Sequence, residues 1–202
     1  LGHLDGKQEV VANNSSDLRL MVQNVLKYKD RRLYQGFIAS GDLKIGEKLK
    51  SYPSQKDVVV TRIVKSSSEV DSAEALDLVS FELDRDIDLE RGGVIISQES
   101  GAKNILFDTK LNANVIWFGE EGFEKNSLSN RNLAIKISHN YFQASIRKLN
   151  NVTDLSSITN DDAIRSNVIR LNQIANVDID LSGKVAFDIF SENRFGGSFL
   201  LI

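Results

Sequence analysis

Leu18, Leu20 and Val22 alternate with Arg19, Met21 and Gln23, a period of two that predicts a strand with one buried face. Further strand-compatible runs follow: RRLYQGFIASG (31–41), KDVVVTRIVK (56–65), ALDLVSFEL (75–83) and GVIIS (93–97). Gly, Ser, Asp and Pro separate them at short spacing, which is the rhythm of an antiparallel barrel or sandwich. A small and polar stretch, SQESGAKN (97–104), then interrupts the pattern. The rhythm resumes in NANVIWFG (112–119), NLAIKIS (132–138), YFQASIRKL (141–149) and SNVIRLNQIANVDIDL (166–181). Helix is expected only near the N-terminus and within 154–165. The prediction is an all-β chain of two antiparallel barrels, residues 18–104 and 105–202, preceded by a short segment, 1–17. Trp117 and Phe118, on an alternating strand, are expected in the core of the second barrel. The closing run FLLI (199–202) stops within an apolar strand, so the chain is expected to be part of something longer.

Composition narrows the function. With 202 residues and 41% hydrophobic content, the chain can build a core for each of two domains of ordinary size. It contains no cysteine, which removes disulfides, thiolate metal sites and cysteine nucleophiles. No apolar stretch approaches the roughly 20 residues of a membrane helix, and LGHLDGKQEV lacks a basic-then-apolar leader. A cytoplasmic protein with no membrane partner is the expectation. The net charge of -3 argues against nucleic-acid binding, which rests on Lys and Arg neutralising phosphates.

The chain offers little catalytic chemistry of its own. Its two histidines, His3 and His139, have no metal-binding spacing, and His139 reads as a surface or structural residue. Asp84, Asp86 and Asp88 have the alternate spacing that opens a calcium loop. Leu89 stands where that loop needs glycine, however, and Ile95 where it needs a bidentate glutamate. Gly41 and Gly46 in GDLKIGEK have phosphate-loop spacing, yet Glu47 occupies the lysine position and no Ser or Thr follows Lys48. Both stretches read as turns. DLSG (180–183) is too short to carry weight, and Asn14 and Asn151 open glycosylation acceptors without meaning in a cytosolic protein. No catalytic, cofactor-binding or metal residues are assigned.

Several patches together resemble one family. Val22, Gln23, Val25, Lys27, Arg31, Arg32, Gly36, Ile38, Ser40, Gly41, Leu43 and Gly46, followed by Pro53, Ser54 and Lys56, are similar to the second domain of translation-factor GTPases. The likeness is greatest to the large, GTP-binding subunit of bacterial sulfate adenylyltransferase. DIDLERGGVI (86–95), ANVIWFGEEGF (113–123), RLNQIANVDIDL (170–181) and FDIFSENRFGGSFLLI (187–202) resemble later strands of the same family, in the same order. Three positions depart from its pattern: Met21 replaces a proline expected on an edge strand, Phe190 a tyrosine and Gly196 a threonine.

The resemblance implies barrels like domains 2 and 3 of elongation factor Tu, with residues 1–17 as the remnant of a preceding GTPase domain. It implies that GTP and magnesium belong to that missing domain in cis. A small catalytic subunit would form adenylyl sulfate, and the barrels would couple GTP hydrolysis to that reaction while being non-catalytic alone. Asp30, Arg31 and Arg32, a charged turn, are the first candidate contacts, because an Arg fork grips carboxylates. Glu192, Asn193 and Arg194 are the second. An elongation-factor-like module that binds tRNA shares the fold, and a parent enzyme acting on an oxyanion other than sulfate stays open.

Overall fold

The computed structural model describes residues 17–28, 31–98, 105–120, 122–124, 133–154 and 168–202. Among them there is no helix, and the alternating stretches form strands in the expected order. In chain order these are β1 (Arg19–Tyr28), β2 (Arg31–Ser40), β3 (Leu43–Lys44), β4 (Lys48–Tyr52), β5 (Asp57–Lys65), β6 (Ser68–Val70), β7 (Ser72–Ala73), β8 (Leu78–Leu83) and β9 (Val94–Ser97). They continue as β10 (Leu106–Trp117), β11 (Phe123–Glu124), β12 (Leu133–Ile137), β13 (Asn140–Asp154), β14 (Val168–Ile169), β15 (Gln173–Phe187) and β16 (Phe199–Leu201). The helix expected within 154–165 falls almost entirely outside the described residues.

The chain divides into two compact units, residues 1–106 with 186–198, and residues 107–185 with 199–202. In the first unit the strands pair in the order β4-β9-β1-β2-β8-β5-β6, and β5 also pairs with β4. That extra pairing brings the ladder of six strands back to its start, which removes the exposed edges an open sheet would have. Leu18, Leu20 and Val22 point inward as alternation predicts, and they meet Tyr34, Ile38, Val79 and Phe81 in one core. Tyr34 and Phe81 stack with ring centroids 5.5 Å apart. Bulges shift the phase: the register slips between Val60 and Arg62, and the inward series Val58, Val60 continues at Ile63.

Position 21 corrects an expectation. Met21 pairs with Phe37 on one side and Val94 on the other, so β1 is an interior strand and a proline there would not sit at an edge.

The second unit carries an antiparallel sheet in the order β10-β15-β13-β12-β16, with a separate β11-β14 pair. Ala175, Val177, Ile179 and Leu181 of β15 alternate strictly inward. On β13 the buried series runs Ala144, Ile146, Leu149, Val152, because two register shifts, between Ile146 and Lys148 and between Leu149 and Asn151, each add a residue. The run read as continuous over 166–181 is broken at Asn172, whose φ of 60° makes a turn before β15. Trp117 ends β10 half-buried, and Phe118, beyond the strand, is 73% exposed, so Phe118 is not part of the core.

Candidate functional site

Arg31 and Arg32 open β2, opposite Tyr28 and Lys27 of β1. Arg31 is exposed and reaches Glu82 at 3.4 Å, while Glu82 also holds Arg62 at 2.9 Å. Arg32 does different work. Its Nη1 donates to the Ile87 carbonyl at 2.9 Å and its Nε lies 3.7 Å from Asp86, which fixes the 84–89 segment against the sheet. Ile87 and Leu89 of that segment are buried and the three aspartates face outward. Asp84 Oδ1 accepts the Val59 amide at 2.8 Å. Burial pushes the Tyr34 phenol above its usual range; its hydroxyl lies near the Ile87 backbone and the Arg32 guanidinium without reaching either at full hydrogen-bond geometry. Asp30 lies outside the described residues.

The second candidate group, Glu192, Asn193 and Arg194, lies on the 186–198 segment. Asn193 is buried, and its side chain works inside the turn: Nδ2 donates to Asp188 Oδ2 at 3.1 Å, and Oδ1 accepts the amides of Phe195 and Gly196 at 3.1 and 3.3 Å. Arg194 is exposed, and its carbonyl accepts the Ser198 hydroxyl. Asp188 in turn accepts Arg19 Nε at 2.7 Å, both side chains being nearly inaccessible to solvent. Burial pushes the Asp188 carboxyl up, and the Arg19 charge opposes it. The two groups are not brought together. Arg19 and Arg32 sit at opposite ends of the β1-β2 hairpin, roughly 25 Å apart at strand rise.

The stretches set aside as turns are turns. Gly41 and Gly46 have φ of 68° and 83°, and Glu47 Oε2 accepts the Lys44 amide at 3.2 Å across the bend. A side chain at 41 would also run into the backbone of Asp17 and Leu18. Ser138 Oγ lies 3.3 Å from His139 Nδ1. Among the described residues no group of three or more His, Asp or Glu side chains is placed to hold a metal. No helix among them is long and apolar enough to cross a membrane.

One cluster escaped the sequence reading. On the outward side of β10, β15 and β13, Asn112 Nδ2 donates to Asn176 Oδ1 and Asp178 Oδ1 at 3.0 and 2.7 Å. Asn150 Nδ2 joins the same two acceptors, and Asn176 Nδ2 donates to Asn112 Oδ1 and Asn114 Oδ1. Asn112 above all, with Asn150, holds the Asp178 carboxyl below its usual range. Asparagines scattered over three strands give no local motif, and it is register that assembles them.

Comparison with known proteins gives these surfaces a context. Residues 110–202 match the family described as GTP-eEF1A C-terminal domain-like. Sulfate adenylyltransferase subunit 1 of Aeromonas hydrophila is 32% identical over 186 residues, covering 92% of this chain and 37% of that protein. Nearly the whole chain is thus similar to part of sulfate adenylyltransferase subunit 1. The subunit 1 of Francisella tularensis subsp. novicida is 27% identical over 190 residues, with 94% of this chain and 38% of that protein covered. The chain thus spans less than two-fifths of the length of these subunit 1 relatives. Among solved structures, Sup35 complexed with GDP superposes with a TM-score of 0.79 at 16% identity, over 94% of this chain and 45% of that one. Elongation factor SelB from Methanococcus maripaludis gives 0.65 at 17% identity, over 89% and 39%. At such identities the structural likeness establishes the translation-factor type of fold and nothing finer.

Proposed function

We propose that the chain is the non-catalytic β region of a longer, GTP-dependent sulfate adenylyltransferase subunit. One observation supports it: the similarity to subunit 1 relatives runs through both units, at 32% identity over 92% of the chain. On this reading a GTPase domain in cis hydrolyses GTP, and a small catalytic subunit joins ATP and sulfate into adenylyl sulfate and pyrophosphate. The described residues suit a mechanical role, and the 41–48 bend does not fit GTP or magnesium. Phosphoryl chemistry needs backbone amides and a lysine around the phosphates, with a Ser or Thr on the metal. The 41–48 bend presents Glu47 where the lysine would be, and that carboxylate is turned onto its own backbone. What the chain supplies is a closed ladder of strands and a second packed sheet, frames stiff enough to carry a displacement from a nucleotide switch to a partner.

The contact surface proposed first is the β2 start. Among the described residues Arg31, itself exposed, is held by one long pair at 3.4 Å, so its guanidinium can exchange Glu82 for a partner carboxylate at little cost. Arg32 would act through the 84–89 segment it fixes. Glu192 and Arg194 are the second contact, carried by the turn that Asn193 builds. The test uses the natural full-length protein with its neighbouring small subunit: sulfate-dependent release of pyrophosphate from ATP, followed with and without GTP. GTP-stimulated formation of adenylyl sulfate is the expected result. Tight tRNA binding at about 0.15 M salt with no sulfate-dependent turnover would overturn it in favour of an elongation-factor-like module.

A further inference from the structure

The 186–198 segment departs from unit 2 after Val185, joins unit 1, and returns at Phe199. Among the described residues it forms no strand pairing within unit 1 beyond Phe187, and it carries its own backbone bonds, Asp188 N to Gly196 O, Asn193 N to Ile189 O and Gly197 N to Asn193 O. Among the described residues two contacts tie it to the sheet. One is the charged node of Arg19, Asp188 and Asn193, which the carboxylates of Asp17 and Glu192 also face. The other is Phe195, set edge-on against Phe37 with centroids 5.2 Å apart. Little else is buried: Ile189, Phe190 and Phe195 remain 48%, 57% and 41% exposed. A buried ion pair contributes little net stability because the cost of desolvating both charges offsets their attraction. A segment held in this way, with its own internal hydrogen bonds, has the features of a unit that opens locally.

We infer that residues 186–198 form a strap over the outer face of β1 and β2, latched by the Arg19–Asp188 pair, which opens as one piece while the sheet beneath stays folded. Opening uncovers the Arg19 guanidinium beside Met21, Phe37 and Leu78. These three are cross-strand neighbours on one face, by the pairs Met21 with Phe37 and Phe37 with Leu78. In the closed state the cation is hidden, Met21 and Phe37 are partly buried, Phe37 against Phe195, and Leu78 is well exposed. The strap therefore gives unit 1 two outer surfaces of different chemistry. Asp188 and Arg19 are positioning residues in this device, and neither need touch a partner.

Hydrogen exchange read by mass spectrometry on the whole chain tests the inference. Peptides covering 188–197 are compared with peptides from β2 and β8, at several low urea concentrations. The expected result is that the strap amides exchange through an opening nearly independent of urea, and that Asp188→Asn speeds it at least tenfold. Peptides from β2 and β8 should change less than twofold. Phe195→Ala, which leaves the charges in place, gives the same comparison if Asp188→Asn does not fold. Exchange of the strap only through the urea-sensitive unfolding of the sheet, or equal acceleration of strap and sheet in either variant, would overturn it.

Discussion

Arg19 Nε and Asp188 Oδ1 stand 2.7 Å apart inside unit 1, although 169 residues separate them along the chain. Further hydrogen bonds support the pair: Arg19 Nη1 donates to the Leu18 carbonyl at 3.1 Å, and Asp188 Oδ2 accepts Asn193 Nδ2. A buried charge left without its partner is costly, whereas removing both charges is not. Asp188→Ala is therefore expected to destabilise the closed position of the 186–198 segment by about 3–5 kcal/mol, with the sheet of unit 1 still folded. The double variant Arg19→Met with Asp188→Leu should recover most of that loss. Hydrogen exchange of the 188–197 amides, with peptides of β2 and β8 as the internal reference, measures both. A double variant as unstable as the single one would mean that the pair matters through specific geometry rather than through uncompensated charge.

Gly196 is fixed by the same carboxylate. A Cβ at this position would run into Asp188 Oδ2, and that atom cannot yield freely because Arg19 and Asn193 hold the carboxyl on both sides. The threonine that the family pattern places here could not be accommodated without moving Asp188. Gly196→Ala should destabilise by about 1–3 kcal/mol through overpacking. Gly46→Ala is a useful contrast, since its Cβ meets nothing within 4 Å and its cost should come from the positive φ alone. Thermal melts of the two variants separate crowding from backbone strain.

How far the sequence carried these conclusions differs residue by residue. Leu18, Leu20 and Val22 were legible because a strand buries every second side chain. Arg19 was read as part of the solvated face and is buried, because what covers it lies 169 residues further on and no local pattern encodes that return. Leu149 and Val152 escaped strict alternation because two bulges lengthen the inward spacing of β13. The family resemblance was legible in residues scattered through both units, each patch weak and their order specific. The role of Arg32 was not: a pair of arginines at a turn reads the same whether it faces a partner or, as here, the carbonyl of Ile87.

Acid should destabilise the chain through three carboxylates. Asp77 is held below its usual range by Lys65, Asp84 by Arg85 and the Val59 amide, and Asp178 by Asn112. A carboxyl depressed in the folded state contributes stability that is present above its unfolded pKa and lost as pH falls through the folded one. Each of these contributions should therefore disappear below the usual value of 3.8. Asp188 has the opposite sign: its raised value contributes below 3.8 and is lost as pH rises through the folded pKa. Lys65→Met should flatten the fall in urea midpoint between about pH 5 and about pH 2. Added salt should flatten it too, since the Lys65–Asp77 pair is exposed on the lysine side.

Asn176 is the hub of the unit 2 network, with both donors and its acceptor engaged by Asn112, Asn114 and Asn150. Partly exposed amides have water as a substitute partner, so Asn176→Ala should cost only about 1 kcal/mol. It should also leave Asp178 with its depressed value, because Asn112 is the first cause of that shift. Carboxyl NMR titration of Asp178 in the variant checks this. A return of Asp178 to the ordinary range would show that Asn176 orients Asn112, and that the cluster acts as one network.

The 202-residue chain alone is expected not to turn over GTP. The reason lies in what the 41–48 bend offers: two glycines at positive φ, a glutamate bonded to its own turn, and no hydroxyl after Lys48 to hold a metal. If the proposed function holds, Arg31→Glu with Arg32→Glu in the natural full-length protein should leave GTP hydrolysis near its original rate while lowering its coupling to adenylyl sulfate formation. Two effects need separating there. Arg31 is 81% exposed and its loss should cost well under 1 kcal/mol, whereas Arg32 also holds the Ile87 carbonyl, so its reversal loosens the 84–89 segment. Arg32→Gln, which keeps a donor for that carbonyl and drops the charge, isolates the partner contact from the structural one. Coupling reduced by Arg31→Glu alone, with an unchanged melting temperature, would place the contact at the exposed guanidinium. Unchanged coupling in Arg31→Glu and in the double variant would remove the β2 start from the contact surface and leave Glu192 and Arg194 as the remaining candidates.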